Sequence, residues 1–181
     1  MLTITIKGGE AYDKKNKEFK NAEDTTLSLE HSLVSISKWE AKWHKPFLSK
    51  DPRTLEETVD YIRCMTITQN VNPNIYYFLK DEHFKAINDY ISDPMTATWF
   101  NENKNGPKRS SEIITSELIY YWMIAFEIPF ECQKWHLNRL LVLIRICNIK
   151  NQPAKKYGKR ELMSKNAALN AARKKKLGTS G

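Results

Sequence analysis

At residue 30 the apolar period of this chain changes, and that change constrains the fold more than any other feature. Before it, Leu2, Ile4 and Ile6 alternate with Thr3, Thr5 and Lys7, and Leu27 and Leu29 alternate with Thr26 and Ser28. A period of two is that of a half-buried strand. Gly8-Gly9 interrupts the first run, and the polar stretch Asp13 to Lys17 predicts a loop or hairpin tip, with Phe19 rejoining the sheet. After residue 30 the spacing becomes helical. Leu29, Leu33, Ile36, Trp39 and Trp43 recur at three or four residues, and Pro46 ends the run. A lone hairpin is marginal in water, so the strands must pack on the helices or on another subunit.

Further helices follow. Glu30-His31-Ser32-Leu33 reads as the first turn of the first helix. Thr54 and Glu57 have the spacing of a capping box ahead of Leu55, Val59 and Ile62. Pro73 suits a first helical turn before Ile75 and Phe78, and Phe84, Ile87 and Ile91 form another apolar side, ending before Asp93-Pro94. Thr98 to Ser110 is a polar loop and the internal candidate for a mobile segment. Ser111 to Phe126 predicts a largely buried helix, and Phe130 to about Asn148 a long one with a wide stripe of Leu137, Leu140, Leu141, Leu143, Ile144 and Cys147. The short turn Glu127-Ile128-Pro129 predicts that these two pack antiparallel, at the centre of the core or at a subunit interface.

Charge divides the chain differently. The 181 residues carry a net charge of +8, yet residues 150–181 hold ten Lys or Arg and one acid, a net +9. The other 149 residues, with nineteen basic and twenty acidic side chains, come to −1. Arguments from basicity to a partner therefore concern the end of the chain alone. There, Arg160 to Lys176 predicts a helix of Ala and Lys with a thin apolar face, firm only on a partner. The expected fold is mainly α, with a multi-helix body, an N-terminal β-hairpin and a basic C-terminal helical tail, α+β overall. The expected organisation is 1–29 hairpin element, 30–150 helical body and 151–181 basic tail. The opening residues lack the plan of a signal peptide, and no run approaches a membrane span. Three cysteines, at 64, 132 and 147, do not make a disulfide scaffold, which predicts a reducing compartment.

No motif for chemistry is present. The four histidines and three cysteines are not closely spaced, and C-x-x-C, H-E-x-x-H, G-x-S-x-G and Walker A patterns are missing. Cys132 and His136 fall four apart, the spacing of one helix face, and a metal there would need further ligands. Glu56-Glu57 and Asp81-Glu82 sit at helix starts, where the dipole favours acids. The expectation is a non-enzyme without metal or cofactor. Trp39 and Trp43, four apart, are either a core edge with their indole N–H groups bonded or an aromatic anchor for a partner. In the basic tail only Tyr157 interleaves the cations, so base stacking is weakly supported and nucleic acid is disfavoured as partner.

Three stretches carry a resemblance. They are Leu29-Glu30-His31-Ser32-Leu33 through Trp39-Glu40 and Trp43 to Lys45-Pro46-Phe47; Ile113 to Glu117 with Tyr120-Tyr121-Trp122-Met123 and Pro129 to Leu140; and Lys159-Arg160-Glu161-Leu162-Met163 through Asn170 and Arg173 to Thr179. In them the chain resembles the tail assembly chaperones of long-tailed, siphovirus-type bacteriophages of Gram-positive hosts. The resemblance implies a non-enzymatic protein of the host cytoplasm that binds the tape measure protein and keeps it soluble while tail tube protein polymerises around it. It also implies absence from the mature virion, and a longer frameshifted form of the same protein as a further partner. A homo-oligomer is compatible with it, and no membrane is involved. With the anchor reading, it makes Trp39, Trp43, Phe47, Trp122 and Trp135 the candidate client-binding residues. Lys155, Lys156, Lys159, Arg160, Arg173, Lys174, Lys175 and Lys176 become a basic contact for acidic segments. The alternatives are a structural virion protein of the tail or connector, using the Leu2–Ile6 edge and the tail for subunit contacts, and a basic packaging protein that binds nucleic acid.

Overall fold

A computed structural model describes residues 1–13, 17–100, 113–151 and 158–178. The protein has a mainly helical body with an N-terminal hairpin region. The chain divides into two compact units, Met1–Asn148 and Ile149–Gly181. In the first, strand β1 (Leu2–Ile6) pairs antiparallel with β4 (Thr25–Leu29), Ile4 opposite Leu27 and Leu2 opposite Leu29. The period-two pattern sorts as its chemistry requires. Ile6, Leu27 and Leu29 are fully buried, while Thr5 and Thr26 share a 3.0 Å hydroxyl hydrogen bond on the outer face.

The segment between them is not a simple loop. β2 (Gly9–Asp13) and β3 (Glu18–Ala22) form a second antiparallel ribbon, with Tyr12 opposite Phe19 and their rings 5.1 Å apart. The tip residues 14–16 lie outside the described residues. Gly8 is required at the junction of the two ribbons. A Cβ there would lie 2.1 Å from the carbonyl oxygen of Ala22, and its N–H donates to Asp24 Oδ1 at 2.8 Å. The second ribbon rests on a 3-10 turn, Pro73–Phe78, where Asn72 and Asn74 both donate to the carbonyl of Asn21.

Helix α1 (Leu33–Trp43) starts later than its spacing predicts. Ser32 is the cap, its hydroxyl accepting from Ser35 N–H, so Glu30 and His31 stay extended. Glu30 N–H instead donates to Met65 O, and Ile67 N–H to Ser28 O, which covers the outer edge of β4. Helix α2 (Leu55–Met65) has the Thr54–Glu57 capping box, with bonds of 2.8 and 3.2 Å. Helices α3 (Asp81–Ser92) and α4 (Ser116–Ala125) follow, and α4 packs on α1.

Two expectations need correction here. The buried helix over 111–126 is shorter and one-sided. Residues 111 and 112 lie outside the described residues, and of α4 only Ser116, Ile119 and Met123 are buried. Its neighbour is not one long helix from Phe130. A 3-10 turn, Phe130–Lys134, ends at Trp135, whose backbone is extended, and helix α5 begins only at Leu137 and runs to Asn151. The break has a tertiary cause. His136 bridges to Ser32, and Leu137 N–H donates to His31 O at 2.7 Å, so strand-like pairing with a distant segment overrides helix continuation. Cys132 and His136 therefore lie on different elements and share no helix face. The core joins both ribbon strands to α1, α2, α4 and α5 through Leu33, Ile36, Trp39, Ile62, Met65, Ile119, Met123, Leu137 and Leu140. The second unit contains helix α6 (Lys159–Leu177), closed by Gly178 in the left-handed conformation at φ 63°. Among the described residues, no helix is long and apolar enough to cross a membrane.

Candidate functional site

The aromatic residues named by the sequence separate into two kinds. Trp39 and Phe47 are 1% and 3% exposed, and their rings meet edge to face at 5.2 Å. They are core, and a docking anchor must be accessible, so neither serves as one. Trp39 Nε1–H donates to the carbonyl of Glu57, which ties α1 to α2. Trp43 is half-buried, with its N–H on Asp60 Oδ2 at 2.9 Å and Lys42 on the other oxygen of the same carboxylate. Arg53 lies 3.9 Å over the Phe47 ring and donates to the Phe47 carbonyl. The hollow of about 280 Å³ beside these residues is lined by Lys45 and Glu57, which pair with each other. Trp122, on α4, and Trp135, with Arg139 at 4.2 Å over its ring, are half-buried. Among the described residues no cluster of His, Cys, Asp and Glu could hold a metal ion.

Beneath this cluster runs a buried polar seam. His31 and His136 are 2% and 6% exposed, with ring centroids 5.1 Å apart. His31 Nδ1 shares a 2.5 Å hydrogen bond with the Tyr61 hydroxyl. His136 Nε2–H donates to Tyr90 O, and its Nδ1 accepts from Asn138 N–H, an arrangement that only the neutral ring can make. The Tyr90 hydroxyl donates to Glu30, which also pairs with the Met1 amino group at 3.1 Å. The seam joins the β4–α1 junction to α2, α3 and α5. Every buried side-chain nitrogen and oxygen among the described residues has a partner. The seam has the look of acid–base machinery, but its groups face one another rather than solvent.

Burial first, then the neighbouring His136 ring and Arg53, push the His31 imidazole down to about 3. Burial also lowers His136, against the opposing pull of its bond to the Tyr90 carbonyl. Both rings are neutral in the fold and protonate near 6.5 once the chain unfolds. Their contribution is therefore complete above the unfolded value and is lost as pH falls below it. From His31 alone, stability drops by about 2 kcal/mol between roughly pH 6.5 and 4.5. Urea unfolding at stepped pH measures this, and His31→Gln flattens the profile over the same window. A variant profile as steep as that of the parent protein contradicts the assignment.

One accessible apolar surface lies on a helix that the sequence reads as buried. On α4, Tyr121 and Ile124 are 63% and 62% exposed, and Phe130 just beyond it is 53% exposed. Leu118 and Trp122 flank them half-buried. One signal was present. Glu117 lies four residues before Tyr121 and seven before Ile124, so the single acid of α4 marks its outward side. In the basic tail, Lys155 and Lys156 lie outside the described residues, as does the side chain of Lys159. Arg160, Arg173, Lys174, Lys175 and Lys176 are all exposed on α6. No family model, no curated protein and no solved structure matches the chain.

Proposed function

We propose that this chain is a phage tail assembly chaperone that holds an apolar helical stripe of the tape measure protein against the outward side of α4. One observation carries the reading: a chain that resembles this family exposes Tyr121, Ile124 and Phe130 together at one helix and its flanking turn. A long helical client awaiting its tube exposes amphipathic stripes, and an aromatic-lined helix face covers such stripes in the helix-in-groove manner. The body supplies rigidity, because α4 is seated on α1 through Ile119 and Met123. Catalysis is not required, and no metal or cofactor enters the proposal. The protein acts in the host cytoplasm and is absent from the mature virion.

The test is co-expression with the tape measure protein. Tyr121→Asp with Ile124→Asp is expected to weaken client binding about 10–100-fold and return the client to the insoluble fraction. Both side chains are exposed, so the unfolding midpoint shifts little. Full client solubility with the double variant rejects this surface. Stoichiometric copies of the chain in purified particles would move the assignment to a structural virion protein.

A further inference from the structure

A second interaction surface lies on α6, and it does not depend on the chaperone reading. Every α6 residue whose side chain is described is exposed. The helix has almost no segregation of apolar from polar residues between its sides. That rules out two common uses of a free helix. A membrane-surface helix needs one strongly apolar face, and a coiled-coil strand needs an unbroken apolar seam.

The distribution of its cations is more informative. Arg173, Lys174, Lys175 and Lys176 are consecutive. Successive helix residues advance by about 100°, so these four cover roughly 300° of the circumference. An acidic protein surface meets one side of a helix, a stripe of the order of 100° wide, and would leave most of these charges in water. A groove with anions on both walls meets them all. The major groove of B-form DNA is about 12 Å wide, and a helix with its side chains is about 10–12 Å across. Just before the cations, Ala167, Ala168, Ala171 and Ala172 keep α6 narrow, and Asn166 and Asn170 stand one turn apart, with amides of the kind that pair with adenine edges. The deep, narrow major groove of an RNA duplex does not admit a helix.

We infer that α6 binds double-stranded DNA by entering the major groove, with Arg173 to Lys176 contacting phosphates on both walls. The sequence disfavours nucleic acid because aromatics do not interleave the cations and because the body, at a net −1, offers no basic face. The first argument concerns stacking on single strands, and a duplex groove needs no stacking; the second concerns a reader domain, and here the helix alone enters the groove.

The experiment is a fluorescence anisotropy titration of the full chain onto a labelled DNA duplex of about 20 base pairs, at salt from about 50 to 200 mM. The comparison protein carries Arg173→Ala, Lys174→Ala, Lys175→Ala and Lys176→Ala. Alanine preserves helix propensity, and circular dichroism checks that α6 persists. The parent chain is expected to bind with a log–log salt slope of about −4 or steeper, and the quadruple variant to lose at least about 100-fold in affinity with a slope shallower by about 3–4. Failure of the parent to bind DNA at the lowest salt, or an unchanged slope in the variant, overturns the inference. Equal affinity for an RNA duplex overturns groove entry. Displacement of the DNA by polyglutamate at equal charge concentration shows an acidic polypeptide partner and overturns the choice of DNA.

Discussion

Trp39→Ala is expected to cost about 3–5 kcal/mol of folding stability, the range for emptying a large aromatic site in a core. Globular domains hold only about 5–15 kcal/mol in all, so the variant loses a large share of its stability. The indole is 1% exposed and touches three parts of the chain. It stands on α1, donates its N–H to the Glu57 carbonyl of α2 at 2.9 Å, and meets the ring of Phe47 in the intervening loop. Truncation leaves a cavity between α1 and α2 and removes the hydrogen bond that ties them, while the Glu57 carbonyl keeps its place in the α2 ladder. Trp39→Phe keeps most of the volume and loses the hydrogen bond, for an expected cost of about 1–2 kcal/mol. Trp43→Ala belongs with the milder variant, because its ring is half-buried and Lys42 still holds Asp60. Urea denaturation of the three variants gives the ranking. A loss below about 1 kcal/mol for Trp39→Ala would return that residue to the candidate anchors.

The distinction matters because sequence spacing alone leaves the core and anchor readings equivalent. Two tryptophans four apart share a helix face whether that face looks inward or outward. What could be read in advance was whatever is fixed locally. The Thr54–Glu57 box lies within three residues, and both of its bonds are made. The alternation of Leu2, Ile4 and Ile6 with threonines decides which face of β1 is buried. The change of period at residue 30 separates strands from helices, displaced only by the three residues up to and including the cap Ser32 that stay out of α1.

What could not be read in advance is set by groups far apart in sequence. The interruption at Trp135 exists because Leu137 N–H finds the carbonyl of His31, and nothing near residue 135 announces it. The ribbon of β2 and β3 is legible only as a hairpin tip with Phe19 rejoining the sheet, because the support it takes from the asparagines at 72 and 74 comes from far along the chain. The exposed side of α4 was illegible for the opposite reason. A helix apolar all round gives no contrast from which to tell inside from outside, apart from Glu117. The proposed client surface thus falls on a helix that its composition marked as buried, while Trp39 and Phe47 take the core side of the two readings their spacing left open.

Glu40→Gln is expected to cost about 2–4 kcal/mol, although it changes the shape of the side chain hardly at all. Glu40 is 7% exposed, and its two oxygens are already committed. Oε1 accepts from Phe47 N–H at 2.7 Å and Oε2 from Ser116 N–H at 2.8 Å. Ser116 is the first residue of α4, so the carboxylate also sits where the helix dipole favours a negative charge. A glutamine keeps one acceptor and turns the other into a donor. Whichever way the amide is set, an NH2 group faces a buried backbone N–H, and neither has an alternative partner nearby. The loss is also directional. Glu40 is the polar tether between α1 and the start of α4, while β1 and β4 do not depend on it. Hydrogen exchange should therefore show α4 amides losing protection while those of β4 keep theirs relative to global unfolding. A variant with α4 loosened but the sheet intact also probes the proposed function, since client binding should fall with the protection of α4 even though Tyr121, Ile124 and Phe130 are all present. Uniform loss of protection, or a cost below about 1 kcal/mol, would show that α4 is held by packing on Ile119 and Met123 alone.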